Sequence, residues 1–232
     1  MEREVAQLDR ASGIAHTIRS RILAWQYAPG ARLLEQRLCE ELQASRSLVR
    51  EALRMLEARG YLIKQPNRGY EVRQLDVRVA NELYELREAI ESYIVGRLAA
   101  RDGISDENLR SAANSWRDIW SETTLPESAT RAEFASSDRR FHEALAETLG
   151  NQTMIRELRD INDRIEIFRS IDFEQELTVR SARQAHLQII GAIELGDVPA
   201  AVSAIRENIG HARSNIRQGL TEALGRAYFG GD

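Results

Sequence analysis

Cysteine occurs once in the 232-residue chain, at Cys39, so no disulfide can form within it. A cross-linked secreted scaffold is thereby excluded, and a reducing, cytoplasmic setting is expected. Cys39 follows Leu38 and is read as a small buried hydrophobe rather than a redox group. No apolar run approaches the roughly 18 residues that a membrane-spanning helix needs. The opening MEREVAQLDR is charged where a signal peptide would be apolar. No partnership with a membrane is therefore expected. Lysine is nearly absent as well: Lys64 is the only one, and arginine supplies the remaining positive charge. The chain also lacks Gly/Ser-rich tracts, low-complexity segments and internal repeats. It has no phosphate-cradling glycine loop and no nucleophile motif, which weighs against an enzyme.

What is present is an ordinary globular composition, 43% hydrophobic and 29% charged. The net charge of −4 is unevenly spread. Residues 1–75 hold 13 basic and 9 acidic side chains, net +4, and the remainder holds 19 and 27, net −8. Such asymmetry points to a nucleic-acid-facing N-terminal part and an acidic C-terminal part.

The most informative stretch is Ser45 to Gly69. Val49, Ala52, Leu53 and Leu56 recur at helical spacing and form one apolar face. Arg46, Ser47, Arg50 and Arg54 lie away from it. Ser45 is suited to the N-cap and Gly60 to the C-terminal stop. Tyr61 to Gln65 and Tyr70 to Arg73 read as two strands around the turn Pro66-Asn67-Arg68-Gly69. Upstream, Leu8, Ile14 or Ala15, Ile18 and Ile22 mark a first helix over about Val5 to Trp25. Leu34, Leu38 and Leu42 mark a short second one. Three helices and a hairpin with a basic tip are the layout of a winged helix-turn-helix, whose recognition helix fits the DNA major groove.

Pro29-Gly30, Leu33 with Glu35, Ser45-Arg46, Val49-Arg50-Glu51-Ala52-Leu53, Leu56-Glu57, Gly60 and Arg68-Gly69 together resemble the GntR family of bacterial transcription regulators. Leu48 departs from the pattern, which usually has proline or threonine there. The resemblance implies that Ser45, Arg46, Ser47 and Arg50 contact DNA and that Arg68 and Gly69 form a wing tip near the minor groove. The chemistry agrees. Arg46 and Arg50 are one turn apart, and each bidentate arginine–guanine pair is worth roughly 1–3 kcal/mol of discrimination. Glu51 is expected to orient an arginine instead of touching DNA.

From about residue 80 the pattern is helical throughout. Six helices are expected, over about Val79–Arg101, Asp106–Glu122, Arg131–Leu149, Thr153–Ser170, Glu174–Leu195 and Val198–Leu224. The domains are read as 1–73, a winged helix-turn-helix, and 80–232, an all-α antiparallel bundle, joined by a linker at 74–79. The fold class is thus mostly α. Within the bundle, Asp138 and His142 share a helix face, and His186 shares a stripe with Ile189, Ile190 and Ile193. Ala201, Ile205, Asn208, Ala212 and Ile216 mark the core side of the last helix. Polar groups facing a core need partners, and an aspartate with two imidazoles can hold a first-row divalent ion. Arg87 also sits on an apolar stripe and needs an anion. Glu91 one turn later, or an effector carboxylate, can supply it. Trp116 and Trp120, at i and i+4, are read as packing residues.

Leu86-Arg87 with Glu91, Asp138 with Phe141-His142, Gly150-Asn151, and His186 with Ile189, Ala192-Ile193 and Gly196-Asp197 resemble the FadR C-terminal ligand-binding domain (FCD), in its shorter six-helix, VanR-like form. The resemblance implies one aspartate and three histidines around a metal. Asp138, His142 and His186 match three of these, and Asn208 stands where the fourth histidine is expected. It also implies a carboxylate clamp at Arg87. The readings left open are a divalent metal (zinc first, nickel or manganese as alternatives), a metal-free effector pocket that uses Asn208, and purely structural hydrogen bonds. The expected protein is a cytoplasmic, homodimeric, ligand-responsive regulator, expected to be a repressor, that binds double-stranded operator DNA and a small carboxylic acid. The rival expectation is a metal-dependent enzyme acting on such an acid.

Overall fold

The computed structural model describes residues 2–66, 69–101, 107–121, 124–126, 129–172 and 176–229. The chain divides into two compact units, one of Met1–Asp76 with Arg226–Asp232 and one of Val77–Gly225.

The N-terminal unit contains α1 (Glu2–Leu23), β1 (Arg32–Leu33), α2 (Glu35–Glu41), α3 (Arg46–Ala58), β2 (Leu62–Gln65) and β3 (Gly69–Val72). Its core is the face of α3 that the apolar periodicity marks. Val49, Ala52, Leu53 and Leu56 are fully buried, and Ala11, Ala15, Ile18 and Ile22 of α1 are buried with them. The α1 stripe is therefore centred on Ala11 and Ala15, whereas Leu8 is exposed. The expected stripe on α2 holds only at Leu38. Leu34 caps the helix and is exposed, and Leu42 is half-buried. A seven-residue helix has room for one inward turn only. Cys39, on the neighbouring side of α2, is half-buried and not a core residue.

The end of α3 explains how the chain reverses into the wing. Gly60 has φ of +81°, its N–H bonds to the Glu57 carbonyl, and the Tyr61 N–H reaches the Leu56 carbonyl. That pair of bonds is a Schellman stop, which requires the left-handed conformation glycine adopts at low cost. The sheet has the order β1-β3-β2 with both pairs antiparallel. The hairpin closes at Gln65↔Gly69, and β3 also pairs with β1 through Arg32↔Glu71 and Leu33↔Tyr70. Strand β1 has only two residues, too few for alternation to be legible in the sequence.

The second unit consists of α4 (Val77–Ala99), α5 (Glu107–Ile119), α6 (Arg131–Leu149), α7 (Gln152–Asp172), α8 (Glu176–Glu194) and α9 (Val198–Phe229). Helix α4 takes up three residues, Val77–Val79, that the sequence reading placed in the linker. Helix α6 is set by a capping box in which Thr130 and Glu133 each bond the other's backbone N–H. No strand occurs in this unit among the described residues. The core is lined by Leu83, Ile94 and Leu98 of α4, Phe141 and Leu145 of α6, Leu158 and Ile165 of α7, Ile189 and Ile193 of α8, and Ile205 and Ile209 of α9. Trp116 and Trp120 are both buried.

Candidate functional site

Two places gather polar side chains beyond what packing requires. The first is the outer face of α3. Ser45 caps the helix by accepting from the Leu48 N–H at 3.5 Å, and its hydroxyl lies 3.1 Å from that of Ser47. Ser45, Arg46, Ser47 and Arg50 are all exposed. Arg46 makes no hydrogen bond among the described residues. Arg50 Nε instead donates to Glu35 Oε2 at 2.7 Å. Glu51 pairs with an arginine as expected, Arg54 at 3.3 Å, while the residue that holds Arg50 is Glu35. Helical spacing shows neighbours on one helix only, and Glu35 comes from α2. Gly69 has φ of +80°, and a Cβ there would lie 3.3 Å from the Leu33 carbonyl oxygen. Its glycine is thus required by the backbone, whatever the wing touches. Arg68, the expected wing-tip contact, lies outside the described residues.

The second place is inside the helical unit. Arg87 and Glu91 sit one turn apart on α4, both buried, with Arg87 Nε donating to Glu91 Oε1 at 2.7 Å. Glu91 Oε2 lies 2.5 Å from His142 Nδ1. A carboxylate only accepts, so His142 carries a proton on Nδ1, and this contact turns its Nε2 toward the interior of the cluster. Burial alone would raise the Glu91 pKa, but Arg87 and His142 draw it down to about 2. The i, i+4 pair Asp138 and His142 on α6 faces His186 on α8. Asp138 Oδ1 lies 3.3 Å from His186 Nε2 and 3.6 Å from His142 Nε2, and the two Nε2 atoms are 3.3 Å apart. Burial would raise Asp138 too, yet His142, His186 and Arg169 hold it well below the usual carboxylate range. Burial lowers His186 to about 4 against the opposing pull of Asp138, so this imidazole is neutral at neutral pH. Trp120 and Phe141 pack on the His186 ring, with centroids at 4.4 and 4.3 Å, and keep water from it.

These three side chains are the cluster of metal-ligating groups found among the described residues. The triangle of 3.3, 3.3 and 3.6 Å suits an ion. Ligand atoms about 2.0–2.1 Å from a tetrahedral zinc are about 3.3–3.4 Å from one another. Asp138 Oδ1 supplies an acceptor at one corner, and Glu91 behind His142 is the carboxylate that commonly orients a metal-binding imidazole. His186 Nδ1 has no such partner among the described residues. The residues present therefore fit a divalent ion with three donors. Asn208 is half-buried on the wall of the adjacent cavity, and His211, three residues on, lines the same cavity.

That cavity has a volume of about 240 Å³. Asp138 forms one part of its wall, with Tyr84 and Arg87 from α4 and Arg169 and Asp172 from α7. Arg169 escaped the sequence reading. Its Nε donates to Asp138 Oδ2 at 2.8 Å and its Nη2 to Asn162 Oδ1 at 2.8 Å. Burial and the neighbouring Arg87 both pull its pKa down. Arg87 and Arg169 both line this cavity, and their buried Nη2 and Nη1 atoms, respectively, have no hydrogen-bond partner among the described residues. Glu91 thus takes Nε, and Nη2 is left without a partner among the described residues. A buried guanidinium N–H without an acceptor is costly, and a cavity wall is where a ligand can satisfy it.

Comparison with known proteins identifies the two units. Residues 10–72 match the family described as bacterial regulatory proteins, gntR family, and residues 82–211, more than half of the chain, match the FCD domain. Among solved structures, a structural-genomics target described as a GntR transcriptional regulator from Rhodococcus sp. RHA1 is similar at 23% identity and a TM-score of 0.72, covering 90% of this chain and 98% of that one. McbR/YncC of E. coli is similar at 17% identity and a TM-score of 0.66, with 92% and 98% covered. The FCD domain of TM0439, solved metal-free, is 23% identical over 64% of this chain and 98% of its own length, with a TM-score of 0.50. No curated protein matches.

Proposed function

The chain belongs to the GntR family of bacterial regulators and carries an FCD domain, and on that premise we propose how this ligand-responsive, DNA-binding transcription regulator works. It is a regulator and not an enzyme, as its family is, and the metal-dependent enzyme reading has no support. The protein is a cytoplasmic homodimer that reads a pseudopalindromic operator, because two-fold protein symmetry calls for two-fold site symmetry. Ser45, Arg46, Ser47 and Arg50 meet the DNA, with Arg68 and Gly69 at the wing tip, and the default action is repression. That no helix of the described residues is long and apolar enough to cross a membrane accords with this setting.

The effector is a small carboxylic acid bound in the cavity of the helical domain. One observation carries this reading: Arg87 lines the cavity, and its buried Nη2 has no acceptor among the described residues. Asn208 supplies a further polar contact on the same wall. Asp138, His142 and His186 hold a divalent ion, zinc in the first instance and nickel or manganese as alternatives. When bound, the ion supplies a Lewis acid beside the effector's acid group. Coupling to DNA requires that the effector bind one arrangement of the dimer more tightly than the other.

Selection of bound sequences from random DNA, repeated with a library of small acids, tests the regulator as a whole. Salt-sensitive, sequence-selective binding that weakens in Arg46→Ala and Arg50→Ala is expected; unchanged affinity in both would refute the interface. Elemental analysis of native protein and of His142→Ala tests the ion. Equal metal content in the two would remove the proposed ligand set.

A further inference from the structure

The two oxygens of Asp138 have different surroundings. Oδ1 is a corner of the imidazole cluster, 3.3 Å from His186 Nε2 and 3.6 Å from His142 Nε2. Oδ2 accepts from Arg169 Nε at 2.8 Å. Arg169 is itself held from behind, because its Nη2 donates to Asn162 Oδ1 at 2.8 Å. Asn162 lies two turns earlier on α7, is fully buried and is not on the cavity wall. Its Nδ2 donates in turn to Glu143 Oε1 of α6 at 3.0 Å. Glu143 Oε1 also accepts from Arg139 Nε at 2.7 Å, and Arg139 Nη1 donates to Asp163 Oδ1 at 2.6 Å. A continuous chain of hydrogen bonds therefore runs from Asp138 through Arg169, Asn162, Glu143 and Arg139 to Asp163, back and forth between α6 and α7.

Asn162 is the joint of this chain. It accepts from a cation with one atom and donates to an anion with the other, as a carboxamide can. We propose that Asn162 is a positioning residue for the ion ligand Asp138: it locks Arg169 onto Oδ2, which leaves Oδ1 as the oxygen turned to His142 and His186. This rests on the reading of Asp138, His142 and His186 as an ion site and adds a support two side chains removed from it. The orientation matters because a carboxylate turns easily about its last torsion. The charge of Arg87 also acts on Asp138 and offers it another direction. A guanidinium is a planar fork, so two bonds from one such group fix its plane and, with it, the oxygen it holds. Charge and orientation act in opposite senses here. The positive charge of Arg169 opposes a cation bound at Asp138, so its benefit to the site is the orientation alone. Loss of Asn162 removes that orientation and leaves the charge in place.

The test is titration of the full-length, chelator-stripped protein with zinc in competition with a chromophoric indicator, with folding of each variant checked by circular dichroism. Asn162→Ala is expected to bind zinc about ten- to a hundredfold more weakly, as for other partners that orient a metal ligand. Arg169→Lys keeps the charge but not the fork and is expected to lose as much; it carries the test if Asn162→Ala does not fold. The exchange of Asn162→Asp with Glu143→Gln returns an acceptor to Arg169 and faces it with an amide donor, and it is expected to restore zinc binding. Native zinc affinity in folded Asn162→Ala or in Arg169→Lys, with lowered thermal stability only, is the signature of a merely structural role. It would overturn the inference and leave the three ligands standing. A double exchange that binds zinc no better than Asn162→Ala would overturn it as well. A native protein that takes up none of zinc, nickel and manganese would remove the ion reading and this inference with it.

Discussion

Arg169 and Asp172 set the character of the cavity, and both carry costs that can be measured. The Asp172 carboxyl is raised from 3.8 to about 6 by burial, so the folded state holds its proton more tightly than the unfolded chain does. Folding is then penalised as pH rises through 6, by on the order of 2–3 kcal/mol once the group is ionised, and the penalty is absent below the unfolded value. Asp172→Asn should therefore raise the urea midpoint at pH 8, with a gain that shrinks as pH falls through 6. A constant gain at all pH values would show that the carboxylate charge is not its source. Glu91 acts in the opposite sense. Its removal as Glu91→Gln leaves the buried Arg87 without its counter-ion and frees the His142 tautomer. A loss of about 3–5 kcal/mol in chemical denaturation is expected, as for one partner of a buried ion pair. Arg87 was legible in the sequence because an arginine interrupts an apolar stripe. Arg169 carried the same signal beside Ile165 and Phe168, but three other arginines and five acids on α7 hide it among apparent surface charge.

At the level of elements, the helices follow from periodicity and from their stops. Leu53 is fully buried at the contact of α3 with α1, and Leu53→Ala should cost about 2–5 kcal/mol in thermal or urea unfolding. Gly69→Ala meets two obstacles, a left-handed backbone and the Leu33 carbonyl at 3.3 Å. A loss of about 1–2 kcal/mol is expected, with weakened DNA binding beyond that loss only if the wing takes part. The helix boundaries of α6 agree with the sequence reading because Thr130, Glu133 and Gly150 punctuate both ends. The start of α4 did not, since its first turn falls in the expected linker. Strand β1 was not legible at all. Its two residues are extended because β3 offers an edge to pair with, and that is a tertiary cause.

For the whole molecule, the proposed DNA contact of Arg50 competes with an existing one. Arg50 Nε is held by Glu35 at 2.7 Å, an acidic neighbour that any base or phosphate would have to share or displace. Glu35→Gln should release it and raise non-specific affinity for duplex DNA, with a steeper loss of binding as salt increases. An unchanged salt slope in a fluorescence-anisotropy titration would place Arg50 outside the interface.

The sequence by itself determined the class of this protein. Apolar spacing, glycine stops and the uneven charge are local properties, and they set the winged helix-turn-helix, the helical domain and the family. It also brought Asp138 to His142 and Arg87 to Glu91, because an interval of four residues puts side chains on one helix face. Only the tertiary structure decided what lies between helices: Glu91 behind His142, Arg169 on Asp138, Glu35 on Arg50, and Glu143 on Asn162. Those meetings join residues far apart in the chain, 51 positions for Glu91 and His142, and no pattern along the chain encodes them. They arise from packing, which brings the polar ends of buried side chains to one cavity once their apolar neighbours have found each other.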